Sequence, residues 1–203
     1  MKLNELKQKL GELKVFSVDD IKLIDPNFRQ ETLYEWKKMS WVIKLRSNNY
    51  IFSDYKPTNY DLYLIANKIY SPSYISLELA LNHYGVIPEA VQTITSVTTN
   101  STLEVDTEIG KFSYKSISEG LFWGYELIKI DNTTYRIATL EKAIIDFFHF
   151  NNNVNSFADL EGLRFNIEIL KESLKTSELN RMVKTINSAT LTQRVNLLLK
   201  YIK

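Results

Sequence analysis

The sequence predicts an α+β protein: an N-terminal winged helix–turn–helix followed by a mixed α/β domain with a small β-sheet and C-terminal helices. Three observations point there. Within residues 1–55, three short runs of helically spaced apolar residues give way to a period-two hairpin. From Val91 to Ile137, β-branched residues recur in short alternating runs with glycines at the joints. After a polar break at Asn151–Asn155 the spacing returns to helical and stays so. The expected division is a first domain over residues 1–55 and a second over 56–203, mixed α/β to about 150 and helical over 156–203.

The elements follow in order. Leu3, Leu6, Leu10 and Leu13 share one helix face, with Lys2, Lys7, Lys9 and Glu12 on the others. Ser17 is placed to cap a second helix, with Asp19 and Asp20 at the positive end of its dipole. That helix ends before Asp25-Pro26, because proline disfavours helix at the residue preceding it. A third helix runs from about Gln30 to Met39 with Leu33 and Trp36 as inward anchors. In Trp41–Arg46, Ile43 and Leu45 share one face while Val42, Lys44 and Arg46 share the other. Ser47-Asn48-Asn49 is a turn, since asparagine tolerates positive φ, and Tyr50–Phe52 return as a second strand. Three helices and a hairpin in this order are those of a winged helix–turn–helix, with the third helix as recognition element. Arg29, Gln30, Thr32, Tyr34, Lys37 and Lys38 are its expected exposed residues, and Lys44 and Arg46 project from the wing. Arginine and glutamine make bidentate contacts to guanine and adenine edges, while lysine and threonine suit phosphates. The same order of elements also serves as a protein-interaction module, so the pattern alone leaves that alternative open.

Lys56–Asn59 is a linker. Tyr60–Tyr70 is helical, with Leu62, Ile65, Ala66 and Ile69 on one side, and Ser71-Pro72-Ser73 breaks it. A helix from about Ser76 to Tyr84 stops at Gly85. Strands are expected at Val91–Thr99, Leu103–Val105, Lys111–Ser116, Glu126–Ile130 and Thr134–Ile137. Ala138–Lys142 opens a strongly apolar helix through Phe148, and further helices cover Phe157–Leu160, Arg164–Leu174, Glu178–Ile186 and Leu191–Ile202.

The 203 residues carry 25 Lys+Arg and 24 Asp+Glu, a net charge of +1. That balance hides a division. Residues 1–55 hold ten basic and eight acidic groups, residues 56–162 seven and thirteen, and residues 163–203 eight and three. The basic end contributes Arg164, Lys171, Lys175, Arg181, Lys184 and Arg194, a candidate surface for nucleic acid or an acidic partner as well as an ordinary solvated face.

Cysteine is absent, which excludes disulfides, thiolate nucleophiles and cysteine metal sites. The two histidines, His83 and His149, lack metal-ligand spacing, and the six glycines form no phosphate-cradling loop. Glu104, Asp106 and Glu108 alternate as on a solvated strand edge. Glu141 and Asp146 suggest a catalytic pair, but Thr139 as cap, Glu141 at the helix dipole and Lys142 four residues before Asp146 account for them as helix chemistry. The expectation is therefore a protein that is not an enzyme, with no cofactor and no metal site. No apolar leader and no stretch of membrane-spanning length is present, so a cytoplasmic protein without membrane contact is expected.

Tyr74–Gly85 (YISLELALNHYG) resembles the "YISLxSALxxxGL" segment of the AbiEi antitoxin family. The Ile94–Thr99 strand, the Phe112-x-Tyr114 strand and the Ala138–Asp146 helix, which is similar to that family's "AxxEKAxxD" helix, follow in the family's order. Leu79 stands where a small residue is commoner, and Ser47–Tyr50 replaces the usual Arg-Gly-x-Tyr type of wing turn. The resemblance implies an antitoxin of a type IV toxin–antitoxin system associated with abortive phage infection. Its N-terminal domain would repress its own operon at inverted repeats in the promoter, with two or more copies side by side. Its C-terminal domain would neutralise an AbiEii-like nucleotidyltransferase toxin, directly or indirectly. The alternative is a ligand-responsive winged-helix transcriptional regulator without a toxin partner.

Overall fold

The computed structural model of the protein describes residues 2–11, 13–130 and 132–203, and it is α+β. The first elements are α1 (Leu3–Leu10), β1 (Phe16–Ser17), α2 (Val18–Ile24), α3 (Glu31–Lys38), β2 (Val42–Arg46) and β3 (Asn49–Phe52). Helix α1 stops at Leu10, where Gly11 takes φ 54°. Leu13, expected on its inward row, therefore falls beyond the helix and is 44% exposed. Glu12, expected on an outer face, lies outside the described residues. Ser17 begins α2 with both halves of a capping box: its hydroxyl accepts the Asp20 N–H, and the Asp20 carboxylate accepts the Ser17 N–H.

The three strands form an antiparallel sheet in the order β1-β3-β2. Leu6, Leu10, Phe16, Ile21, Leu33, Trp36, Val42 and Tyr50 pack into one cluster against the helices. Strand β2 carries a bulge, because Lys44 pairs with Tyr50 and Arg46 with Asn49. Leu45, together with Ile51 and Val15, packs instead into the larger core of the rest of the chain. Apolar residues of this small sheet thus belong to two cores.

The larger part comprises α4 (Asn59–Ile69), β4 (Ser73–Ile75), α5 (Leu77–His83), β5 (Thr93–Thr98), β6 (Leu103–Thr107), β7 (Gly110–Ser116), β8 (Tyr125–Ile130), β9 (Thr133–Ala138), α6 (Leu140–Phe150), α7 (Phe157–Gly162), α8 (Ile167–Ser173), α9 (Thr176–Ile186) and α10 (Ala189–Tyr201). Its six-stranded sheet runs β6-β7-β5-β4-β9-β8, with β5–β7 and β4–β9 parallel and the other pairs antiparallel. The acidic run Glu104, Asp106, Glu108 is exposed on or beside the edge strand β6, as expected. Strand β4 lies where the sequence predicts only a break between two helices. It is three residues long, begins directly after Pro72, and lies buried between β5 and β9.

Successive β4 residues face opposite sides of the sheet. Helix α4 lies on the side of Tyr114, whose hydroxyl donates to the Ala66 carbonyl at 2.8 Å, and of Tyr135, whose ring meets Tyr63 edge-on. Helix α6 lies on the other side, where Tyr74 points. Gly85 ends α5 with φ 75°, the left-handed residue that helix stops favour. The helix expected from Arg164 starts only at Ile167: Arg164 itself has φ 53°, and the Asn166 side chain caps the first turn.

The two parts are also joined by polar contacts. The capping carboxylate of α2, Asp20, lies 3.6 Å from Lys68 of α4. Asp61, which completes the capping box of α4 with Thr58, lies 3.4 Å from Lys14.

Candidate nucleic-acid interface

Helix α3 turns Leu33 and Trp36 into the core, so its other faces point outward. Arg29, Gln30, Glu31, Tyr34, Glu35, Lys37 and Lys38 are exposed, and Thr32 is half-buried. A groove of about 380 Å³ runs between α3 and the β2–β3 hairpin, lined by Gln30, Glu31, Tyr34, Lys37, Lys44 and Tyr50 with Leu33 at its floor. Four of the eight residues expected to face DNA are therefore brought to one surface depression. Lys38 holds its ammonium 4.6 Å above the Tyr34 ring, and Lys44 lies 6.0 Å from the Tyr50 ring. Arg29, Lys37, Lys38 and Lys44 have no ion-pair partner among the described residues.

Arg46 is placed differently from Lys44. Its guanidinium lies 4.3 Å from the Tyr70 ring and donates to the Ile69 carbonyl at 3.1 Å. The bulge is the reason: one extra residue breaks the strict alternation that put Arg46 on the face of Lys44. Arg46 is a clasp between the hairpin and α4, not an outward wing residue.

The basic C-terminal residues also separate. Arg164, Lys171, Lys175 and Lys184 are exposed. Arg181 pairs with Glu178 through two nitrogens, which lowers the carboxyl pKa of Glu178 and raises that of the guanidinium. Arg194 is turned inward, donating to the carbonyls of Phe148 at 3.1 Å and Asn152 at 2.8 Å. It satisfies carbonyls at the end of α6, where a cation also suits the helix dipole.

A second polar constellation was only half foreseen. Lys142 and Asp146 form a fully buried ion pair at 2.6 Å. The other carboxylate oxygen of Asp146 accepts the Tyr74 hydroxyl at 2.9 Å and the Ser76 hydroxyl at 2.8 Å. The ammonium lies 5.1 Å from the Trp123 ring, and Gly124, with φ 77°, approaches so closely that a Cβ there would meet the Lys142 side chain at 3.0 Å. Burial pushes the Asp146 carboxyl above its ordinary range, against the pull of Lys142 and the two hydroxyls. Burial and the Asp146 charge push the Tyr74 phenol up. The i,i+4 spacing shows the pair; the apolar residues Ala143–Ile145 and Phe147–Phe148, interrupted only by Asp146, are the signal that the helix is buried all round as far as Phe148. The cluster pins α6 to β4. Glu141, also buried, accepts the Lys175 N–H at 2.9 Å and ties α6 to the start of α9, while the Thr139 hydroxyl caps α6 as expected.

Burial lowers the pKa of both His83 and His149. Among the described residues no group of three or more His, Cys, Asp or Glu is arranged to hold a metal ion, and no helix is long and apolar enough to cross a membrane. No protein-family model matches the chain, and no curated protein matches it.

Proposed function

We propose that the chain is a DNA-binding antitoxin similar to the AbiEi family. In this reading residues 1–55 are a winged helix–turn–helix that represses its own operon, with α3 as the recognition helix and the β2–β3 hairpin as the wing. Residues 56–203 neutralise a nucleotidyltransferase-like toxin. The observation that carries the DNA-binding half is the α3 groove: Gln30, Tyr34, Lys37 and Lys44 share one depression, and its lysines have no ion-pair partner among the described residues. Base-reading and phosphate-binding chemistry are thus adjacent. Fluorescence anisotropy with promoter DNA tests it. Lys37→Ala and Lys44→Ala should each weaken binding on all duplexes and reduce the salt slope by about 1. Unchanged affinity in both variants would sink the assignment.

For the toxin half, the exposed cations Lys171 and Lys184 support a surface for an acidic partner or for competition over RNA. Co-expression with the product of a neighbouring nucleotidyltransferase-like gene, scored by growth, checks this. Charge reversal at Lys171 and Lys184 should abolish rescue while promoter binding persists.

The alternative, a ligand-responsive regulator without a toxin, is favoured by one observation. A cavity of about 830 Å³ opens between the end of α1, the segment after β3 and the β8–β9 turn, with Lys7, Lys14, Phe52 and Tyr55 among its lining. A small molecule that shifts the melting temperature and the operator affinity together would support it.

A further inference from the structure

We propose that Glu31 is the specificity-determining residue of the α3 groove and that it reads the exocyclic amine of a cytosine in the major groove. This rests on the DNA-binding reading above. Glu31 is the first residue of α3, exposed, and shares the groove with Gln30, Tyr34, Lys37 and Lys44. It makes no ion pair with those lysines or with any other described residue. A carboxylate in such a place repels phosphate, so it contributes nothing to sequence-independent affinity. In the free protein its exposed oxygens are hydrated, and against a duplex they keep a partner only where a base edge offers a donor.

The major-groove edges differ sharply in that respect. Guanine presents two acceptors and thymine one acceptor and a methyl group, so both leave the carboxylate unpaired or repelled. Adenine pairs its amine with an adjacent acceptor. Cytosine alone presents the amine without an acceptor on the same base. Glu31 therefore discriminates chiefly by rejection, while the lysines beside it hold the backbone. Helix geometry agrees: Leu33 and Trp36 mark the buried side, and Glu31, Tyr34 and Lys38 lie on the opposite stripe, with Gln30 and Lys37 on the flank toward Lys44.

The sign of the expected effect separates this role from that of an ordinary contact. Preferred duplexes would be selected from a random pool with the full chain. Wild type, Glu31→Gln and Lys37→Ala would then be titrated against the selected duplex, the same duplex with each C·G pair replaced, and an unrelated duplex. Wild type should prefer cytosine at one position by about 10-fold. Glu31→Gln should lose that preference and bind the unrelated duplex more tightly than wild type does. Lys37→Ala should lose affinity for every duplex alike. If Glu31→Gln keeps the wild-type preference at every position, or binds the unrelated duplex more weakly, Glu31 does not have this role, while the DNA-binding reading stands. If wild type binds no duplex even at low salt, the DNA-binding reading fails and this proposal fails with it.

Discussion

Lys142 and Asp146 are neighbours on one helix turn, and their pairing is legible from spacing alone. Tyr74 and Ser76, which complete the cluster, are about seventy residues earlier in the chain, and only the fold brings them in. The pair is fully buried, so removing one partner leaves an uncompensated charge among apolar groups. Lys142→Met should cost about 3–5 kcal/mol in chemical denaturation. Adding Asp146→Leu should recover part of that loss, because it removes the orphaned charge. Asp61 makes a second residue-scale case. Burial pushes its carboxyl up, but the Tyr55 hydroxyl, the Thr58 N–H and hydroxyl and the Lys14 ammonium outweigh it, and the net pKa is lowered. A lowered carboxyl contributes stability that is complete above its unfolded value, about 3.9, and is lost as pH falls through the folded value. Wild type should therefore lose stability below about pH 4 more steeply than Asp61→Asn, as followed by thermal melts across pH. At pH 7 the substitution itself should cost about 1 kcal/mol.

At the scale of elements, the helices and hairpins were readable because their signals are local. Ser17, Thr58 and Ser156 each sit three residues before an aspartate and begin a helix with a complete capping box. Strand β4 was not readable, since three residues behind a proline present no period, and what makes Ser73–Ile75 a strand is the pair of neighbours on either side. The bulge in β2 was equally invisible, and it moved one candidate site residue. Lys44 and Arg46, equivalent by alternation, have opposite surroundings. Arg46→Ala should cost about 1 kcal/mol of stability and leave promoter affinity nearly unchanged, whereas Lys44→Ala should do the reverse. Melting curves and anisotropy on the same two variants distinguish them. Of the groove beside α3, Gln30, Tyr34, Lys37 and Lys44 are among the residues the sequence offers, whereas Glu31 and Tyr50 come only from the structure.

For the whole molecule, the charge division along the chain survives in three dimensions only partly. Arg46, Arg181 and Arg194, counted as surface cations from sequence, are committed to internal or local partners. The larger core includes Val15, Leu45 and Ile51 from the first 55 residues. A fragment of residues 56–203 would therefore expose the apolar surface that these three cover. It should show lower thermal stability and stronger binding of a hydrophobic dye than the full chain. Equal stability of fragment and full chain would mean that the shared core is of no energetic importance.

The same union has a geometric consequence. Asp20 with Lys68, Asp61 with Lys14, and Arg46 with Tyr70 and Ile69 fasten the α3-bearing part to α4 and its C-terminal end at three points. The shared apolar core of Val15, Leu45 and Ile51 reinforces these contacts, so the first part does not hang from the second on a bare linker. Under the DNA-binding proposal, two copies side by side on an operator would have the spacing of their α3 helices set by whole molecules rather than by a hinge. On that proposal the molecule would act as a ruler, accepting paired sites at one separation and refusing those half a helical turn out of phase.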